Sequence, residues 1–99
     1  MTPDLAFVPV ARDHAATVAV DGTTVIYDEI DHRMLVLNDS AGAIWSRCDG
    51  TQPVGDIATV LAEGHGADLD TVRLDALRTV VMLADLGLVA DARKPADPG

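Results

Sequence analysis

Up to residue 38 the chain alternates or runs apolar in short stretches; beyond it, apolar residues recur every three or four positions. Thr17-Val18-Ala19-Val20 reads as a strand. Thr23 to Ile30, rich in β-branched residues and carrying Tyr27, reads as the returning strand. Asp21-Gly22 between them is a strong two-residue hairpin signal. Asp31-His32 marks a second turn, and Arg33 to Leu37 is a third strand, with Met34, Leu35, Val36 and Leu37 all apolar. The pattern predicts a three-stranded antiparallel meander, which needs a helix layer over its apolar face to be stable.

The helical spacing that follows supplies the layer. Asn38, Asp39 and Ser40 are candidate N-caps, and Ala41, Ile44, Trp45 and Cys48 form one helical face. The first helix is therefore expected over Asp39 to Cys48, with Asp49-Gly50 closing it. Gly42 within it costs about 1 kcal/mol relative to Ala. Close packing against a neighbouring backbone and plain tolerance both account for it. A second helix is expected after Thr51 as N-cap, with the stripe Val54, Ile57, Ala58 and Leu61, stopping at Gly64-His65-Gly66. A third runs from Asp68 or Asp70 to about Leu86 and ends at Gly87. Leu88-Val89 then either pairs briefly with the sheet or packs back on the core.

The third helix is broader in its apolar face than a surface helix requires. At about 100° per residue, Val72, Ala76, Val80 and Leu83 cluster with Leu69 as a core stripe. Leu74, Leu77, Val81 and Ala84 adjoin it on one side. Either the helix lies deep between the sheet and the other helices, or the extra flank lines a groove for a partner.

The chain therefore reads as one α+β domain over residues 16–90. Residues 1–15, broken by Pro3 and Pro9, form an N-terminal arm or edge strand. Residues 91–99, with Pro95 and Pro98, form a disordered tail. Among 99 residues, 48% are hydrophobic and only 3% aromatic, so the core must be aliphatic around the single Trp45. The net charge of −9 argues against nucleic acid and against an anionic membrane as partners. No apolar run reaches the roughly 18 residues of a membrane span, and nothing resembles a signal peptide, so the cytoplasm is the expected compartment.

Catalytic chemistry is not expected. His14, His32 and His65 fall in loops or turns, and none has a partner at a metal-ligand spacing, so neither a metal nor another cofactor is expected. There is no phosphate-binding glycine loop and no serine elbow. Cys48, on an apolar helical face, reads as a small buried hydrophobe. Asp49, at the end of the first helix, and Asp75, on the polar side of the third, are the carboxylates to watch; capping or a surface ion pair accounts for each.

The meander ending in Leu37-Asn38, then Ile44-Trp45, Arg47-Cys48-Asp49-Gly50-Thr51, Val54 and Ile57, resembles the PqqD-like family. The run Asp75, Ala76, Leu77, Leu83, Gly87, Leu88 is similar to that family's closing motif, so the resemblance covers about residues 16 to 90. It implies a winged-helix-like fold, a three-stranded meander followed by a three-helix bundle. It also implies a non-catalytic recognition element for ribosomally synthesised, post-translationally modified peptides. Such an element binds the leader segment of a precursor peptide and presents it to a modifying enzyme, a radical-SAM protein or a lasso-peptide leader peptidase. The leader would add as a strand beside Arg33, Met34, Leu35, Val36 and Leu37, and lie against the third helix between Arg73 and Ala84. Leu74, Leu77, Val81 and Ala84 would then form an apolar wall, with Arg33 and Arg73 placed for acidic leader residues. The link from Asp28 to Arg33 lacks the Pro-Glu of pyrroloquinoline quinone pathway members, which points to a lasso-peptide or other modified-peptide system. The alternatives are a winged-helix DNA-binding regulator and a structural subunit of a larger enzyme.

Overall fold

The computed structural model describes residues 3–93. In chain order the elements are β1 (Pro9–Ala11), β2 (Ala15–Val20), β3 (Thr23–Asp28), β4 (Arg33–Leu37), α1 (Asp39–Trp45), α2 (Val54–His65), α3 (Leu69–Asp85) and β5 (Val89–Asp91). Strands β2, β3 and β4 form the expected antiparallel meander. Asp21 and Gly22 both take positive φ, at 51° and 80°, as a tight primed hairpin requires.

Strand β3 stops at Asp28, two residues before the expected end. The buried Asp28 carboxylate accepts hydrogen bonds from the amides of Ile30 and Asp31, at 3.0 and 3.1 Å, and so folds the chain into a turn. The first helix ends at Trp45 and not at Cys48. The Cys48 carbonyl accepts from the Ala11 amide at 2.8 Å, and Gly50 donates to the Pro9 carbonyl at 3.0 Å, which draws this segment towards β1. Of the three candidate caps, Asn38 serves: its side chain accepts from the Ala41 amide at 2.9 Å.

Thr51 does not cap α2; it bonds back to the Asp49 carboxylate. The first amides of α2, Val54 and Gly55, donate to the carbonyls of Phe7 and Leu5 at 2.8 and 2.9 Å. The N-terminal segment thus takes the cap's place. Helix α3 begins as expected, with Asp68 accepting from the Thr71 amide at 3.0 Å, and Gly87 follows its end at a φ of 74°.

Leu88-Val89 leads into β5, which pairs with β1 in a separate two-stranded sheet and not with the meander. Asp91 therefore belongs to a strand and not to a tail. The Arg93 guanidinium beside it holds its carboxyl well below the usual range. The tail expected over residues 94–99 lies outside the described residues.

The core gathers Ile26 and Leu37 from the sheet, Ile44, Trp45 and Cys48 from the α1 region, Val54 and Ala58 from α2, Ala76, Val80 and Leu83 from α3, and Leu88 and Val89. Trp45 is buried, and its indole nitrogen donates to Thr17 Oγ1 at 2.8 Å, tying α1 to β2. Gly42 is a close approach, but to a side chain: a Cβ there would lie 2.9 Å from Thr24 Oγ1. Burial, aided by the Asp49 charge, pushes the Cys48 thiol up to about 12, so it is inert at neutral pH.

Candidate functional site

The pleat of β4 sends its residues to two faces. Leu35 and Leu37 turn towards the helices, and Leu37 is buried; Met34 and Val36 stand 69% and 65% exposed on the other face. On one edge β4 pairs with β3; among the described residues nothing pairs with the other edge. That edge faces α3 across a groove of about 460 Å³. On the sheet side the groove is lined by Leu35, Val36, Leu37 and Asn38, with Ser40 and Ala41 of α1 at one end. On the helix side it is lined by Asp75, Arg78, Thr79 and Met82.

The helix wall is not the one expected. Ala76, Val80 and Leu83 are buried and set the inward direction of α3. At about 100° per residue, Asp75, Arg78, Thr79 and Met82 lie on one side of that stripe, and Leu74, Leu77, Val81 and Ala84 on the other. The apolar flank is therefore turned away from β4. Leu77 and Val81 border a separate shallow hollow with Arg78, Met82, Asp85 and Leu86. Leu77 and Ala84 also pack against the core, while Leu74 is 48% exposed. The helix is not buried all round, and the hollow on its apolar side is separate from the groove beside β4.

The two expected arginines are already engaged. Arg33 donates to Asp28 at 3.1 Å, to Asp31 at 3.0 Å and to the Leu86 carbonyl at 3.2 Å, fastening the start of β4 to the end of α3. The Asp31 amide and the Arg33 guanidinium lower the Asp28 pKa against the opposing effect of burial. Arg73 pairs along its own helix with Asp70 at 3.4 Å. Arg78, which sequence reasoning did not place in the site, lies in the groove and has no ion pair among the described residues. Asn38, Ser40, Ala41, Thr79 and Met82 were missed as well. Of the expected site residues, Leu35, Val36 and Leu37 line the groove, and Asp75, noted as a carboxylate to watch, lines it with them.

Past Ser40 and Asp75, which line both hollows, the groove meets a cleft of about 380 Å³. Ala43, Ile44, Leu61 and Val72 make that cleft largely apolar, with His65 and Thr71 at its border. A strand edge with free amides and carbonyls, a mixed polar wall and an apolar end suit an extended chain better than a compact small molecule. Among the described residues no group of three or more His, Cys, Asp or Glu is placed to hold a metal ion, and no helix is long and apolar enough to cross a membrane.

Among solved structures, the chain is similar to a lasso peptide synthetase B1 complexed with its leader peptide. The TM-score is 0.74 and the identity 20%, over 84% of this chain and 98% of that one. It is similar also to TbiB1 in complex with the TbiA(beta) leader peptide, at a TM-score of 0.73 and 19% identity, over 89% and 99% of the two chains. A third match is the PqqD truncation of Methylobacterium extorquens PqqCD, described as a functional, stand-alone recognition element for ribosomally synthesised and modified peptides. Its TM-score is 0.70 and its identity 24%, over 84% of this chain and 88% of that one. These likenesses establish the α+β fold of a three-stranded sheet with three helices. No curated protein matches the sequence. The family model for coenzyme PQQ synthesis protein D (PqqD) matches residues 23–89, from the second meander strand to the start of β5, and the chain belongs to that family.

Proposed function

We propose that this chain is a non-catalytic recognition module that binds the leader segment of a ribosomally synthesised precursor peptide and presents it to a modifying enzyme. The observation that carries this reading is the unpaired edge of β4, set across a groove from α3. A leader adding to β4 as a further strand gains main-chain hydrogen bonds along the edge, and its alternate side chains enter the groove. Met82, Thr79 and the aliphatic stem of Arg78 form the wall, and the Arg78 charge favours an acidic leader residue. Family membership and the leader-bound state of two similar structures support the same reading. Of the two partners that the family resemblance implies, a lasso-peptide leader peptidase fits the likeness to a lasso peptide synthetase B1, with a radical-SAM enzyme as the other choice.

In this reading the winged-helix-like arrangement serves a peptide and not DNA. Helix α3 offers Asp70, Asp75 and Asp85 against Arg73 and Arg78, a poor surface for phosphates. Calorimetric titration of the synthetic leader should give a dissociation constant between about 10 nM and 10 μM. Hydrogen exchange should show new protection along β4. Binding without protection of β4 would place the peptide elsewhere, and tight, salt-sensitive DNA binding in a gel shift would favour the regulator instead.

A further inference from the structure

The register of the meander sets Val18, Val25 and Val36 in one row and Ala16, Tyr27 and Met34 in the next, on the face opposite the helices. Val18 and Val20 are each 53% exposed there, beside the exposed Met34 and Val36. No charged residue occupies an outward position of this face, in a chain with a net charge of −9. Among the described residues nothing covers it. A solvated sheet face normally alternates to polar residues; an apolar, charge-free centre is the composition of an interface core.

The loops at the two ends of this face are acidic. Asp13, Asp21, Glu29 and Asp31 are exposed there, and Arg33 is already held by Asp28 and Asp31, leaving Arg12 as the other cation. A second copy would set these acidic loops against their own kind, with a net charge of −9 on each chain. An apolar centre with an acidic border fits instead a protein that is apolar at its middle and basic around it.

Extent decides the rest. Three strands about 4.8 Å apart and five residues long offer on the order of 250 Å². A stable interface takes about 800 Å² from each partner. Val36 lies both on this face and at the groove, so a strand docked on β4 would widen the face by a fourth strand to on the order of 330 Å², the rest of such an interface falling to the acidic loops around it. We propose that the outer face of β2, β3 and β4 is the docking platform for the modifying enzyme, a protein with an apolar patch rimmed by Lys and Arg, and that the bound leader extends it. This inference rests on leader binding at β4. It makes the leader and the enzyme positively coupled: each raises the other's affinity by the same factor.

The test uses the purified chain, the synthetic leader and the purified modifying enzyme encoded beside the precursor. In Val18→Lys the altered residue sits two strands from the groove, so leader affinity should stay within about twofold, while enzyme association with leader present falls about tenfold or more. The wild-type association should weaken with added salt and should strengthen at least about fivefold with leader. Val18→Thr, β-branched and isosteric, replaces the lysine variant if that chain melts early, and should show a smaller loss in the same direction. Unchanged enzyme binding in both variants overturns the platform while leaving leader binding intact. A dimer of the free chain that Val18→Lys disperses in sedimentation would assign the face to a second copy and also overturn it. Absence of leader binding in the wild type would overturn the underlying reading, and this inference with it.

Discussion

The two flanks of α3 differ in composition and in what lies opposite them. Leu74, Leu77, Val81 and Ala84 make one flank almost wholly apolar, yet none of them lines the groove beside β4. Asp75, Arg78, Thr79 and Met82 make the other flank mixed, and it faces the unpaired edge of β4. Hydrophobic attraction is non-directional and specifies neither register nor orientation. A strand edge specifies both, because each amide and carbonyl has a fixed place. Which flank of α3 borders the open strand edge is therefore set by the packing of the backbone, and apolar width alone does not locate it.

The largest effect on this comparison should come from removing the frame that holds both flanks. Trp45→Ala empties a buried site between α1 and β2 and orphans Thr17, and should cost about 3–5 kcal/mol. Denaturant unfolding checks this; a midpoint shift too small for such a loss would show that the indole is not part of the common frame. Next is the groove flank itself. Met82→Asp puts a carboxylate under the docked leader and should weaken binding about 10- to 100-fold, or about 1.4–2.7 kcal/mol, with the chain still folded because Met82 is 37% exposed and outside the buried core. Arg78→Glu should weaken it about three- to tenfold and reverse its dependence on salt, if the leader is acidic at that point.

A smaller effect concerns the turn that fastens β4 to α3. The Asp28 carboxyl is depressed below its ordinary value of 3.8, chiefly by the Asp31 amide. A depressed folded-state pKa stabilises above the ordinary value, and that contribution is lost as pH falls through the lower folded value. An NMR titration should therefore show the turn from Asp28 to Arg33 holding down to pH 3.8 and loosening below it. Asp28→Asn should abolish that acid transition. The smallest effect is expected on the apolar flank: Val81→Asp should change leader affinity by less than about threefold. A hundredfold loss in a folded protein would move the site to that flank and reverse the comparison.

Local pattern determined much of this molecule. The hairpin at Asp21-Gly22, the strand Arg33–Leu37, the α3 cap at Asp68 and the stop at Gly87 each depend on residues within a few positions of one another. Such interactions are written directly in sequence spacing. The inertness of Cys48 was legible in the same way, from its place on an apolar face. The family, and with it the free strand edge, was legible from the order of short motifs between residues 16 and 90.

What only the tertiary structure decided involves partners distant in sequence. The carbonyls of Leu5 and Phe7 cap α2, about fifty residues on, and the Cys48 carbonyl joins β1 and so ends α1 early. Strand β5 closes on β1 across nearly the whole chain. Arg33 looked available for a ligand until Asp28, Asp31 and the Leu86 carbonyl were seen around it. Helical periodicity marks which residues share a face, but it carries no information on which strand that face will meet. The groove wall of Asp75, Arg78, Thr79 and Met82 was therefore settled by the packing angle of α3 against β4, a quantity summed over the entire core.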